Sequence, residues 1–277
     1  SGLAESLEHI SKGVMSNERV ANPFALLALN DDGLLHKKSS EIYTQSRYPF
    51  NHVLGPILKR PKSQKIRVGY FSADFRNHAV SILAAELFEL HDKNRFEIIA
   101  FSFGEDDKSP MRLRLREAFN EFLDVSDMSD SEIVELSRKL QIAIAIDLGG
   151  HTQDSRTGIF SYRAAPIQIS YIGYLGTMGA EYYDYLLADK TIIPEELQEF
   201  YSEKIAYLPS YQVNDRKRLI SDRQFTRQEL GLPENGFVFC CFNNNFKILP
   251  ETFASWMRIL KSINQRVTLH WKKRLTI

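Results

Sequence analysis

The sequence predicts an α/β fold built on a mainly parallel sheet, and three observations carry that prediction. Strand-like and helix-like patterns alternate from Lys65 onward. Residues 142–148 are nearly all apolar, as expected of a parallel strand covered on both faces. After a polar, charged connector at 214–223 the strand–helix pattern restarts, so a second α/β unit begins near residue 236.

Residues 1–60 read as a helical lead-in. Pro23 to Leu29 is a compact apolar block, Asn30-Asp31-Asp32-Gly33 a turn, and 34–46 another helix. Pro56 and Pro61 bracket a basic linker at 59–62. In 65–81, Ile66, Val68 and Tyr70 alternate with the period of a strand. Val80, Leu83, Ala84, Leu87 and Phe88 then recur at helical spacing. A strand at 96–103 precedes a basic amphipathic helix over 111–122, whose Arg112, Arg114 and Arg116 read as its solvated face. The helix at 129–140 has Ser129 or Ser131 as cap, with a glutamate shortly after. Strand 142–148 ends at Gly149-Gly150-His151-Thr152. A short helix at 156–163, a strand at 167–171 and a glycine-punctuated loop at 173–179 follow, and 185–188 and 205–208 continue the pattern. Beyond the connector come a strand at 237–242, a loop from Asn243 to Lys247, a helix at 250–263 and the start of a strand at 267–271. The expected organisation is a lead-in at 1–60, a first α/β domain at 61–213, a connector at 214–235 and the start of a second domain at 236–277.

Composition narrows the function classes. The 277 residues carry 35 basic and 35 acidic side chains, so there is no electrostatic footprint for nucleic acid or a membrane surface. No apolar run is long enough to span a bilayer, and the N-terminus lacks the basic start and apolar core of a signal peptide. The expectation is a cytoplasmic protein, and the missing initiator Met suggests a fragment. Cys240 and Cys241 are adjacent on a predicted strand and point to opposite faces, which argues against a disulfide and for buried thiols in a reducing compartment.

Three loops at predicted strand ends hold the chemistry. Asp74 and His78 lie four residues apart between a strand and a helix N-terminus, where open α/β sheets bind ligands. They can share a pocket as acid, base or anion ligand, or serve as a helix cap and a packed histidine. Gly149-Gly150 lets the backbone approach a ligand, with His151 and Thr152 at the sheet edge, or makes a tight turn with a surface histidine. Lys247 stands before a helix where a second α/β unit can hold phosphate, or is an exposed lysine. A metal set of Asp74, His78, His151 and Asp154 is the weaker alternative, because it lacks the short paired spacing of zinc sites. No G-x-G-x-x-G follows the first strand, and neither a G-x-x-x-x-G-K-[ST] loop nor a G-x-S-x-G elbow occurs. Those absences argue against a dinucleotide dehydrogenase, a P-loop nucleotidase and an α/β-hydrolase.

Five segments in order carry a resemblance: KIRVGYFSADFRNHAVS, DLGGHT, RAAPIQISYIGYLGTMGAEYYDYLLAD, YSEKIAYLPSYQVNDRKR and CCFNNNFKILPETFASWMRILKSI. Together they closely resemble the catalytic region of the O-linked N-acetylglucosamine transferase and SPINDLY-like family, in its bacterial branch. The block PFALLALNDDGLLHKKSSEIYTQSRYP resembles the family's segment between tetratricopeptide repeats and catalytic region. The resemblance covers about residues 22–265.

It implies a two-domain, GT-B-type glycosyltransferase with a Rossmann-like first domain, a helical lead-in and an incomplete second Rossmann-like domain. The implied reaction is inverting, needs no metal or other cofactor, and moves N-acetylglucosamine from UDP-N-acetylglucosamine to Ser or Thr hydroxyls of proteins. Asp74, His78 and His151 then match catalytic positions, and Asn77, Thr152, Asn244 and Lys247 the donor site. The implied partners are a sugar nucleotide and protein acceptors. Ala79, Val80, Ala164, Tyr171 and Leu175 depart from the usual residues, which keeps GDP-fucose, used by SPINDLY-like relatives, as an alternative donor. A non-catalytic sugar-nucleotide or protein-binding module is the other alternative. The family's downstream nucleotide segment does not follow, so the chain is expected to stop inside the second domain and to be inactive alone.

Overall fold

The computed structural model describes residues 2–59 and 63–262 and the backbone of 268–271. Residues 60–62 of the basic linker, 263–267 and 272–277 fall outside the described residues. The chain forms two compact units, 1–218 and 219–277.

The first unit opens with α1 (Gly2–Met15), α2 (Pro23–Leu26) and α3 (Gly33–Arg47). Asn22 and Asp32 cap the second and third through hydrogen bonds to Phe24 and Leu35 N–H, and Pro23 occupies a first-turn position that needs no donor. Val14, Leu26 and Leu35 form their common core. Then come β1 (Ile66–Ser72), α4 (Ala79–Glu89), β2 (Phe96–Ser102), α5 (Pro110–Ala118), β3 (Glu121–Asp124), α6 (Asp130–Lys139), β4 (Ile144–Asp147), α7 (Gly158–Ser161), β5 (Ile167–Ser170), β6 (Tyr185–Ala188) and β7 (Lys204–Tyr207). A 3₁₀ turn at Glu195–Phe200 precedes β7.

All seven strands are parallel, in the order β3-β2-β1-β4-β5-β6-β7. The chain winds outward from β1 to β3, returns to lay β4 against the other side of β1, and winds outward again. This is the doubly wound, Rossmann-like pattern expected. Its order reverses between β1 and β4, whose pairing runs from Val68↔Ile144 to Phe71↔Asp147. The loops leaving both strands therefore open at one crevice.

Each sheet face carries its own core. On one, Val68, Tyr70 and Ile98 pack with Ala84, Phe88 and Leu115 of α4 and α5. On the other, Phe71 and Phe101 stack with centroids 4.3 Å apart and meet Ile133, Val134, Ile159 and Phe160. Each fully buried side chain of this size contributes about 1.5–3 kcal/mol relative to exposure. Ser129 and Glu132 form a reciprocal capping box on α6, as their spacing predicts.

Two sequence expectations are corrected here. The predicted helix over 111–122 ends at Ala118, and its last residues form the edge strand β3. Arg112 is not on a solvated face: it is 2% exposed and donates to Phe75 O at 3.0 Å and Ser102 Oγ at 3.1 Å.

The second unit contains β8 (Val238–Cys241), a 3₁₀ turn at Asn245–Lys247, α8 (Pro250–Ser262) and β9 (Thr268–Trp271). β8 and β9 pair in parallel from Val238↔Thr268 to Cys241↔Trp271, with α8 lying between them in the chain as a βαβ crossover requires. Cys240 and Cys241 are free thiols, but Cys240 is exposed rather than buried. Among the described residues, no helix is long and apolar enough to cross a membrane.

Candidate active site

The loop leaving β1 is held from three sides. Asp74 N–H donates to Ser72 Oγ at 2.9 Å, and Ser81 Oγ, in the first turn of α4, donates to Asp74 O at 2.5 Å. The Arg112 contact fixes Phe75 O, and Asn77 N–H donates to Asp107 Oδ2 at 2.8 Å. The backbone around Asp74 is therefore held by the buried Ser72, Ser81 and Arg112 contacts, with the exposed Asp107 tying Asn77.

This scaffold brings Asp74 and His78 together. Asp74 is buried, with Oδ2 3.5 Å from His78 Nδ1, and the His78 side chain is 41% exposed. His78 is also the N-cap of α4, its Nδ1 accepting the Val80 N–H at 3.3 Å. The helix cap that the sequence offered to Asp74 is made by the His78 imidazole instead. Asp74 Oδ1 lies 3.5 Å from Arg76 Nη2, the cation of the same hinge.

The loop leaving β4 is built around Asp147. Its Oδ1 accepts N–H groups of Gly149 and Gly150 at 2.9 and 3.0 Å, and its Oδ2 accepts the Tyr183 hydroxyl at 2.5 Å. Burial pushes the Asp147 carboxyl up, against these hydrogen bonds that favour the anion. Gly150 has φ +58°, and a Cβ there would lie 2.5 Å from Tyr174 Cβ, so the turn requires glycine.

His151 follows but does not join Asp74 and His78 in any described contact. It is 5% exposed, with its ring against Tyr43 of α3 and Tyr174 at centroid distances of 5.2 and 5.1 Å. Nε2 lies 3.1 Å from Met178 O and 3.4 Å from Thr44 Oγ1, and Nδ1 is buried without a hydrogen-bond partner among the described residues. Burial lowers its pKa to about 4, opposed by the Met178 carbonyl contact. Thr152 Oγ1 donates to Gly149 O at 2.7 Å and closes the same turn.

The 173–179 loop is held by Glu203, which the sequence reading also missed. This 5% exposed carboxylate accepts from Met178 N–H at 2.6 Å and Thr177 Oγ1 at 2.7 Å, while burial raises its pKa. Glu203 gave no motif signal, because Thr177 and Met178 lie 26 and 25 residues earlier, and the contacts of Asp147 with Tyr183 and of Arg112 with Phe75 span 36 and 37 residues.

In the second unit, Asn244 and Lys247 are exposed at the 3₁₀ turn before α8. A cavity of about 400 Å³ between β8 and α8 is lined by Phe239, Asn243, Trp256 and Leu260, among others, and by neither Asn244 nor Lys247. Among the described residues, no three His, Cys, Asp or Glu side chains converge as a metal-ligand set, so Asp74, His78, His151 and Asp154 do not form one.

Comparison with known proteins agrees with this architecture. The chain is 36% identical over 257 residues to the probable UDP-N-acetylglucosamine–peptide N-acetylglucosaminyltransferase SEC of Arabidopsis thaliana, covering 87% of this chain and 26% of that protein. It is 29% identical over 267 residues to the Arabidopsis protein of the same printed activity named SPINDLY, covering 92% and 29%. A lysine-to-methionine variant of the Thermobaculum terrenum O-GlcNAc transferase shares the fold, with a TM-score of 0.74 at 24% identity over 94% of this chain and 51% of that one. The chain thus spans between a quarter and a third of these curated relatives and half of the solved chain. The model of glycosyl transferase family 41 matches residues 31–225 and 220–276. With a Rossmann-like sheet, a histidine at its switch point and that match across nearly the whole chain, this protein belongs to glycosyl transferase family 41.

Proposed function

We propose that this chain is part of a protein O-glycosyltransferase that moves N-acetylglucosamine from UDP-N-acetylglucosamine to serine or threonine hydroxyls with inversion. The observation that carries the reading is the Asp74–His78 pair at the switch point of the sheet, in a family 41 chain. The printed activity of the SEC and SPINDLY relatives supports the donor and the peptide acceptor.

In this reaction the acceptor oxygen attacks the anomeric carbon from the face opposite the diphosphate. The bond from sugar to phosphate oxygen breaks, its electron pair leaves with UDP, and the hydroxyl proton passes to a base. His78, half-exposed and 3.5 Å from Asp74, is the group in the first unit suited to handle that proton. Lys247 and helix N–H groups balance the leaving diphosphate, so the reading needs no metal or cofactor. Within the first unit Asn77 and Thr152, and within the second unit Asn244, are the further candidates for donor contacts. His151 was matched to a catalytic position, but its burial and its covered Nε2 favour a positioning role beneath α3. The protein acts in the cytoplasm on protein acceptors, with no nucleic-acid or membrane partner.

The test is transfer to a peptide library by the longer protein that contains this chain, with UDP-N-acetylglucosamine and GDP-fucose as parallel donors. Transfer from the first supports the reading. Transfer from GDP-fucose alone replaces the donor, and donor binding without transfer makes the site a binding module.

A further inference from the structure

The Asp74 carboxylate has two nitrogen neighbours and holds neither tightly. Arg76 Nη2 is 3.5 Å from Oδ1 and His78 Nδ1 is 3.5 Å from Oδ2. Charge-assisted hydrogen bonds close to about 2.7–2.9 Å. Meanwhile His78 Nδ1 accepts the Val80 N–H. A neutral imidazole has one N–H and one acceptor nitrogen, so a ring accepting at Nδ1 carries its proton on Nε2. Oδ2 of Asp74 then faces a lone pair and gains nothing from the ring. What offsets its charge is the Arg76 guanidinium. Arg76 Nε is itself buried without a hydrogen-bond partner among the described residues, so no hydrogen bond at that nitrogen competes with the Asp74 contact. Asp107, the carboxylate on the adjoining loop, is committed to the N–H groups of Asn77 and Ser109.

The other state follows from the same distances. Without Arg76, the buried carboxylate needs a donor, and Nδ1 is beside it. If the ring proton sits on Nδ1 it can be donated to Oδ2. Val80 N–H then loses its cap, and the Nε2 lone pair becomes available.

We propose that Arg76 is a positioning residue that selects the tautomer of His78. Paired with Asp74, it keeps the imidazole proton on Nε2. Released from Asp74, it lets the proton sit on Nδ1 and frees Nε2 as a base. The exchange breaks one N–H bond and makes another through solvent at the half-exposed ring, with no net gain or loss of protons. The functional meaning rests on the reading of His78 as the group that takes the acceptor's proton, whereas the tautomer itself can be measured without turnover.

The experiment labels the histidines of this chain with ¹⁵N and reads the His78 tautomer from long-range ¹H–¹⁵N correlations at mildly alkaline pH. His78→Gln assigns the signal among the seven histidines. The wild-type ring should show the Nε2–H pattern. Arg76→Met should shift the ratio toward Nδ1–H by about tenfold, the worth of one net hydrogen bond. Arg76→Lys, which keeps the charge, should stay close to wild type. Thermal melting checks the fold, and Arg76→Gln replaces Arg76→Met if the latter melts early. A wild-type pattern in the folded Met or Gln variant overturns the proposal, whatever its transfer rate. A shifted tautomer with unchanged transfer upholds the role of Arg76 and removes His78 from the catalytic reading.

Discussion

Arg114 and Asp215 meet across 101 residues of chain in a two-point ion pair, with Nη1 2.5 Å from Oδ2 and Nη2 3.1 Å from Oδ1. The same guanidinium grips Glu89 of α4 at 2.7 and 3.1 Å. Lys217 reaches Glu89 at 2.6 Å, and Arg216 reaches Glu86 at 2.9 Å. The charged segment read as a connector is, through residue 217, riveted to α4 and α5. Hydrogen bonds from Arg114 hold the Asp215 and Glu89 carboxyls below their usual range.

Arg114→Met should therefore lower the unfolding free energy of the first unit by about 3 kcal/mol, because it leaves the 4% exposed Asp215 without its counter-charge. Urea denaturation reads the change. A loss below about 1 kcal/mol would mean that the pair behaves like a solvent-screened surface bridge.

His151 predicts an acid limit to stability. Its pKa is lowered from 6.5 to about 4 in the folded state, so the unfolded chain binds the extra proton between those values. Stability then falls as pH drops from 6.5 toward 4, by on the order of 3 kcal/mol if this residue acts alone. Above pH 6.5 it contributes no pH dependence. His151→Gln should flatten the curve in that window. Parallel wild-type and mutant curves would remove His151 as the cause.

The lead-in helix and the glycine-punctuated loop touch at Gly179, where φ is +63° and a Cβ would lie 2.4 Å from Glu41 N and Ser40 C. Gly55 has φ +62° with nothing within 4 Å of the same position. Gly55→Ala isolates the backbone strain, about 1–3 kcal/mol. Gly179→Ala should cost clearly more, since α3 must move. Equal melting temperatures for the two variants would show that α3 yields freely.

In the longer protein, His78→Ala should lower peptide glycosylation by roughly 10²–10⁴-fold, the range for a group handling a proton in the transition state. Circular dichroism should stay unchanged apart from a small loss at the α4 cap. Undiminished transfer would reduce His78 to that cap.

Much of this was legible before the structure. Val68 and Tyr70 alternate, Ser129 and Glu132 have capping-box spacing, and Asp74 and His78 stand at a strand end, all local signals. What escaped is non-local. Glu121 to Asp124 is a half-exposed edge strand of four residues, too short and too polar to separate from the helix before it. Arg112 looks solvated on a helical wheel, but it is buried by a carbonyl 37 residues earlier in the chain. His151 was found as a loop residue, while its cover, Tyr43 and Thr44, comes from a helix more than a hundred residues upstream.

That cover decides where the molecule can be cut. Thr44 Oγ1 donates to Met178 O at 2.7 Å, Tyr182 OH to Tyr48 O at 2.9 Å, and Asn51 N–H to Ser161 O at 2.9 Å. Removing residues 1–60 would strip a roof from Met178, Ala180 and Tyr182 and take a hydrogen-bond partner from two carbonyls, Met178 O and Ser161 O, and from the Tyr182 hydroxyl, although the linker beside residue 60 looks like a natural seam. The piece that can be inherited, expressed or transplanted intact begins with the helices, not with the first strand.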